Sequence, residues 1–216
     1  MNIILFGPPG AGKGTQSSNI ANEFNLYKVS TGDLLREQIN KKTILSDEIK
    51  SSIDKGLFVT DEIINNLIMN ILSDKKYFNR LVFDGYPRNI NQAQKLDILM
   101  RKYEQKIHCI LNLNVDKDIL IKRILGRQVC SKCGLTFNKY FQKNTRNNHA
   151  CDKKFLETRT DDNSQTIEKR LNIYTKFTLP ILDFYRNQNL LREIDGMGDI
   201  KHIYEEISGI IHSLEA

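Results

Sequence analysis

The sequence predicts an α/β fold built on a doubly wound parallel sheet of five strands, and three observations carry that prediction. Five short apolar runs, at residues 3–6, 27–29, 81–83, 107–115 and 190–194, have the composition of strands, and those at 3–6 and 81–83 are apolar throughout. Unbroken apolarity marks strands covered on both faces. Helical patterns lie between the runs, and strand–helix alternation builds parallel sheets through crossovers. Directly after the first run comes the glycine-rich loop "GPPGAGKGT", which begins at Gly7.

The first run ends where Gly7-Pro8-Pro9 stops a strand. Further on, "TDEIINNLIMNIL" offers Thr60 as N-cap, with Asp61 and Glu62 in the first turn, where the helix dipole favours negative charge. Its Ile63, Ile64, Leu67, Ile68, Ile71 and Leu72 share one face. The pattern from Asp116, "DKDILIKRIL", places Ile119, Leu120 and Ile124 together and Arg123 near its end. Two stretches interrupt the alternation. Residues 30–59 read as a mostly helical insertion, and residues 128–158 hold three of the four cysteines with little helical period. The predicted core is therefore 1–29, 60–125 and 163–216, with insertions at 30–59 and 126–162.

A chain of 216 residues, 40% hydrophobic and 27% charged, is long enough for one sizeable soluble core. The net charge of +6 is scattered, in short runs such as Lys41-Lys42 and Lys75-Lys76 on helical segments. That suits a solvated surface or a polyphosphate partner; the interleaved aromatics of a nucleic-acid-binding patch are missing, so no nucleic acid is expected. The apolar opening is too short for a signal peptide or a membrane span. The expectation is a cytoplasmic protein with reduced cysteines and no membrane partner.

In "GPPGAGKGT", Gly7 is followed after four residues by Gly12 and Lys13, the phosphate-binding (P-loop) spacing. Glycines let consecutive N–H groups curl around phosphate oxygens, the following helix points its positive end there, and Lys13 adds a charge. Gly14 stands where a Ser or Thr usually follows the lysine, so the common hydroxyl ligand for Mg²⁺ is displaced to Thr15 or absent. At the carboxyl end of a buried strand, "LVFDGYPRN" supplies Asp84, a carboxylate suited to hydrated Mg²⁺ where open α/β sheets bind ligands.

Six segments in order, "GPPGAGKGT", "STGDLLR" (30–36), "DGYPR" (84–88), "GR" (126–127), "TRTDDN" (158–163) and "RL" (170–171), together resemble the adenylate kinases across essentially the whole chain. The insertion that opens with CxxC resembles the family's long-lid form, especially its metal-binding bacterial variants. The resemblance implies phosphoryl transfer from Mg-ATP to AMP to give two ADP, with 30–59 as the AMP-binding insertion, 126–162 as a lid that closes over the ligands, and a monomeric chain. It implies donor contacts from Gly10, Ala11, Gly12, Lys13, Gly14, Thr15, Arg123, Arg127, Thr136, Phe137 and Gly198, with Arg123 stacked on the donor base. On the acceptor side it implies Thr31, Arg36, Leu57, Phe58, Val59, Gly85, Tyr86, Pro87, Arg88 and Gln92. Arg127, Arg159 and Arg170 would clamp the transferring group, and Asp161 and Asp162 would anchor the closed lid or form a solvated helix start. The chemistry asks for positioning and charge neutralisation rather than a nucleophilic side chain. A kinase with UMP, CMP or GMP as acceptor is the alternative, and a P-loop switch protein or a zinc-ribbon nucleic-acid-binding protein are readings of other classes.

Cys130 and Cys133 form a CxxC pair with the bite that structural zinc uses. Cys151 follows, but the position three residues on holds Lys154, which cannot be a ligand. His149 and Asp152 are the candidates to complete a site, neither at the usual spacing. The competing expectation is a lid held by packing of Leu135, Phe137, Tyr140, Phe141 and Phe155. Cys109, within a strand, is expected in the core.

Overall fold

A computed structural model describes residues 1–42, 44–141 and 149–215. Five parallel strands form the central sheet in the order β2-β3-β1-β4-β8, from β1 (Asn2–Phe6), β2 (Tyr27–Ser30), β3 (Leu81–Asp84), β4 (Cys109–Asn114) and β8 (Leu191–Asp195). The first strand is central: Ile4 faces Phe83 on one side and Ile110 on the other. Successive side chains of β1 feed two different cores. Ile4 and Phe6 join Phe83, Ile68, Leu96 and Tyr185 on one face; Ile3 and Leu5 join Ile20, Leu111, Ile207 and Ile211 on the other. Both faces are dry, so the strand has no polar positions to alternate.

The helices covering the sheet are α1 (Lys13–Glu23), α4 (Asp61–Ser73), α5 (Ile90–Lys102), α6 (Lys117–Leu125), α7 (Ser164–Ile173), α8 (Ile181–Arg186) and α9 (Ile200–Glu215). None of the described helices is long and apolar enough to cross a membrane. Thr60 does stand at the N-cap position of α4, but its hydroxyl makes no capping bond, which leaves the acidic first turn as the favourable term there. A single π turn, Tyr174–Thr178, follows α7.

Two small units branch from this frame. A helix pair, α2 (Thr31–Asn40) and α3 (Ser46–Asp54), lies between β2 and α4. A separate antiparallel sheet, β6-β5-β7, comprises β5 (Arg127–Cys130), β6 (Thr136–Asn138) and β7 (Leu156–Glu157). The polar "KNTRNNH" segment falls largely outside the described residues. Packing does not hold this second sheet in the way expected: Phe137 is buried, but Leu135, Tyr140 and Phe141 are each more than half exposed. A three-stranded sheet of three, four and two residues has too little area to bury five large side chains.

Candidate active site

The carboxyl ends of β1 and β3 open into a cleft of about 1740 Å³, lined from the core, the helix pair and the small sheet alike. At its floor the loop after β1 runs into α1. Gly10 and Gly12 have φ of +86° and +101°, and a side chain at Gly10 would come within 2.8 Å of Ile124 and 2.9 Å of the Leu120 carbonyl. Lys13 Nζ donates to the carbonyls of Gly7 at 2.6 Å and Pro8 at 2.9 Å. Burial is the main cause that lowers its pKa to about 8; Asp84 opposes the shift, and Arg88, Arg170 and Arg127 add to it. Gly14, the departure from the usual pattern, faces the carboxylate: a Cβ there would sit 3.5 Å from Asp84 Oδ2. Ser17 Oγ lies 3.3 Å and Lys28 Nζ 3.8 Å from the same oxygen.

Arg88 is held at every polar point of its backbone. Its N–H donates to Gln92 Oε1 at 2.7 Å, and its carbonyl accepts from Thr178 Oγ at 2.7 Å, across the π turn. Its side chain is fixed as well, with Nε donating to the Gly85 carbonyl at 2.7 Å and a second nitrogen 3.4 Å from Thr31 Oγ. The guanidinium lies 5.7 Å from the centroid of the Phe58 ring. Burial, then the nearby Arg170, pushes its pKa down to about 10.

Arg127 donates two bonds to the Asp162 carboxylate, with Nε at 2.7 Å from Oδ2, and Arg170 donates to Asp161 at 2.7 Å and to Asp162 at 3.4 Å. Both aspartates are buried, so they are not a solvated turn; Asn163, one residue on, caps α7 by accepting from the Thr166 N–H. Burial opposes the Arg127 cation, yet Asp162 outweighs it and raises the pKa. Among the described residues no carboxylate pairs with Arg159 so closely, and burial followed by Arg127 and Arg36 lowers it to about 10. Arg36 pairs with Asp33. Arg123 donates to the carbonyls of Ala11 at 3.3 Å and Gly196 at 2.9 Å, tying the phosphate loop to the loop before α9.

Nearly all of the residues expected at the two nucleotide sites line this one cleft, from Gly10 and Thr15 to Thr31, Leu57, Val59, Gly85, Pro87, Gln92, Thr136, Phe137 and Gly198. Tyr86 does not. It is 1% exposed, packs near Phe83, and its hydroxyl donates to Asn65 at 2.9 Å, so its ring belongs to the core and does not line the cleft. Gln92 lines the cleft with its amide already engaged, by Arg88 on the oxygen and by Asp61 on the nitrogen at 2.6 Å. Lys28 and Thr178 escaped sequence reasoning. One reads as a solvated strand lysine, and the other bonds to a partner 90 residues away, for which no local signal exists.

On the second sheet, the ligand atoms of Cys130, Cys133, His149 and Cys151 all lie within 4.8 Å of one another. Three thiols and an imidazole on so small a polyhedron fit a tetrahedral zinc, whose bonds run about 2.0–2.3 Å. The Cys133 sulfur is 3.1 Å from His149 Nε2, and the His149 ring meets Phe137 edge-on at 4.7 Å. Asp152 turns away to accept from the Lys154 N–H at 3.1 Å, so of the two candidates the histidine is the one that joins the thiols. Cys109 is buried in the sheet, as expected.

The geometry is thus a phosphate loop, a strand-end carboxylate and a ring of arginines around one cleft. Among known proteins, the family model described as adenylate kinase matches residues 5–190. The adenylate kinase of Pelagibacter ubique is 45% identical over 211 residues, 98% of this chain and 99% of the relative. Those of Methanothrix thermoacetophila and Bacillus subtilis are 39% and 37% identical over 217 residues, the full length of both chains. Matches of this extent, on a cleft of this chemistry, establish that the chain belongs to the adenylate kinase family and catalyses phosphoryl transfer between ATP and AMP.

Proposed function

We propose that the cleft is divided into two nucleotide sites that meet at Lys13, Arg88, Arg127, Arg159 and Arg170. The observation supporting this division is that these five cations, with Arg36, line one cavity from separate segments of the chain. Burial and mutual repulsion disfavour the charged forms of Lys13, Arg88 and Arg159, a cost that a bound polyanion relieves.

On the donor side, the loop amides from Gly10 to Thr15 and Lys13 hold the phosphates of Mg-ATP. Arg123, Thr136, Phe137 and Gly198 surround its base. Asp84 accepts hydrogen bonds from the water shell of the substrate's Mg²⁺, which suits a carboxylate that faces the phosphate loop at Gly14. On the acceptor side, Arg36 and Arg88 orient the AMP phosphate, while Thr31, Leu57, Phe58, Val59, Gly85, Pro87 and Gln92 enclose the nucleoside. An AMP phosphate oxygen then bonds to the γ-phosphorus as the bond to the departing ADP breaks; the arginines neutralise charge on the equatorial oxygens and no side chain becomes covalently linked. In this reading residues 30–59 and 126–162 are the two moving covers, and closing them keeps water from competing with AMP, as the lid does in this family.

Calorimetric titration separates the two sites. Lys13→Met should weaken ATP binding and spare AMP, and Arg36→Ala should do the reverse; loss of both ligands in either folded variant would refute the division.

The second part of the proposal is a zinc ion held by Cys130, Cys133, His149 and Cys151. Its donor set and the exposure of Leu135, Tyr140 and Phe141 support it. Zinc there stabilises the small sheet by linkage and takes no part in transfer. Elemental analysis of untagged protein purified without chelator should find about one zinc per chain. The reading places the enzyme in a reducing, cytoplasmic setting, in keeping with cysteines that form no disulfide, and takes it to be a monomer.

A further inference from the structure

We propose that Asp61 sets which purine edge the acceptor site accepts, by fixing the orientation of the Gln92 side-chain amide. The inference rests on the reading above that Gln92 meets the acceptor base.

Gln92 is 2% exposed yet lines the cleft. Its Oε1 accepts the Arg88 N–H at 2.7 Å, and its Nε2 donates to Asp61 Oδ1 at 2.6 Å. Neither partner can exchange its role. A backbone N–H only donates, and an ionised carboxylate only accepts. Rotating the amide by half a turn would set NH₂ against N–H and oxygen against carboxylate, losing both bonds. Asp61 is itself held: Asn89 Nδ2 donates to its two oxygens at 2.9 and 3.1 Å, while Asn89 Oδ1 accepts the Gln92 N–H at 2.8 Å and so caps α5. The Tyr86 hydroxyl, 3.3 Å from the Gln92 carbonyl, closes the network from the core side.

The amide therefore keeps one lone pair on its oxygen and one N–H on its nitrogen for a ligand, in a fixed order. Adenine offers a 6-amino donor beside the N1 acceptor. Hypoxanthine reverses both, with a carbonyl at position 6 and a protonated N1, and guanine does the same with an added 2-amino group. One amide orientation pairs with only one of these edges. Asp61 does not line the cleft, so it is a positioning residue that chooses between them without touching the base.

Inosine monophosphate is the clean probe, because it differs from AMP at that edge and carries no 2-amino group. The measurement is kcat/KM for AMP and for inosine monophosphate with Mg-ATP, the products separated by chromatography. In Asp61→Asn the new side chain can donate as well as accept, so a reversed amide forfeits only the Arg88 bond. The AMP preference should fall by about tenfold to a hundredfold, the factor governed by one hydrogen bond to a charged group. Asp61→Ser, which keeps a residue suited to a helix start, should relax the preference in the same direction if the asparagine variant does not fold. A proportional loss on both substrates would mean that Asp61 only supports the fold, and would overturn the proposal. Gln92→Ala distinguishes the premise: if it abolishes the preference while Asp61→Asn keeps it, the amide reads the base but Asp61 does not set it. If Gln92→Ala leaves the preference unchanged, the base-reading role fails and the inference fails with it.

Discussion

Replacing Arg88 by lysine keeps one positive charge and removes a planar fork. In the wild-type site that fork is already partly committed, with Nε on the Gly85 carbonyl at 2.7 Å and a second nitrogen 3.4 Å from Thr31 Oγ. Arg88 lines the cleft, and the first bond fixes the plane of its guanidinium. A lysine has no second nitrogen with which to anchor itself while it binds phosphate, and its ammonium samples more positions. The change should cost about one bidentate arm to the AMP phosphate. A hydrogen bond to a charged group is worth roughly 1.5–3 kcal/mol, so about 2–3 kcal/mol is expected, or roughly a 30-fold to 160-fold fall in kcat/KM for AMP. Folding should survive, because the Arg88 backbone bonds to Gln92 and Thr178 do not involve its side chain. The assay varies AMP at saturating Mg-ATP and follows ADP, with the KM for ATP and the thermal midpoint as controls. A folded Arg88→Lys enzyme within threefold of wild type for AMP would refute the argument, and so would an equal loss on both nucleotides.

Two further outcomes follow from Lys13 and from the thiol cluster. Burial lowers the Lys13 pKa to about 8, so ATP binding should weaken as pH rises above 8, approaching tenfold per unit, and should take up a proton near pH 8.5 when measured by calorimetry in buffers of different ionisation enthalpy. An affinity that stays flat to pH 10 would count against a phosphate contact by this lysine. The stability effect in the unliganded enzyme has a definite sign: the unfolded lysine keeps its proton to about 10.5, so the penalty is full below pH 8 and fades as pH approaches 10.5. At the small sheet, His149→Ala or treatment with a strong chelator should remove zinc, lower the thermal midpoint and raise amide exchange across Arg127–Cys130 and Thr136–Asn138. Zinc-free protein with an unchanged midpoint would return the sheet to packing alone.

Sequence by itself determined the features whose cause is local. The central strand Asn2–Phe6 was legible because both of its faces are buried, which leaves an unbroken apolar run. The phosphate loop was legible because its glycines serve backbone conformations set within a few residues, at Gly10 and Gly12. Asp84 could be read from its place at a strand end. Tertiary structure decided what depends on segments meeting. His149 looked wrongly spaced beside Cys151, since spacing along the chain measures the usual turn and not the distance between ligand atoms; the fold brings all four donors within 4.8 Å. Leu135, Tyr140 and Phe141 looked like a core, but each is more than half exposed and lines the cleft. Asp161 and Asp162 could pass for a polar turn until Arg127 and Arg170 arrived from other elements. Tyr86 and Gln92 stand close together in the chain, and only the packing of α4 against α5 turns the tyrosine into the core and gives the glutamine amide a carboxylate to face. Patterns of neighbours fix backbone conformation and which face is apolar. Charge pairing, ligand sets and side-chain orientation are properties of distances in space, and those are set by how the elements pack.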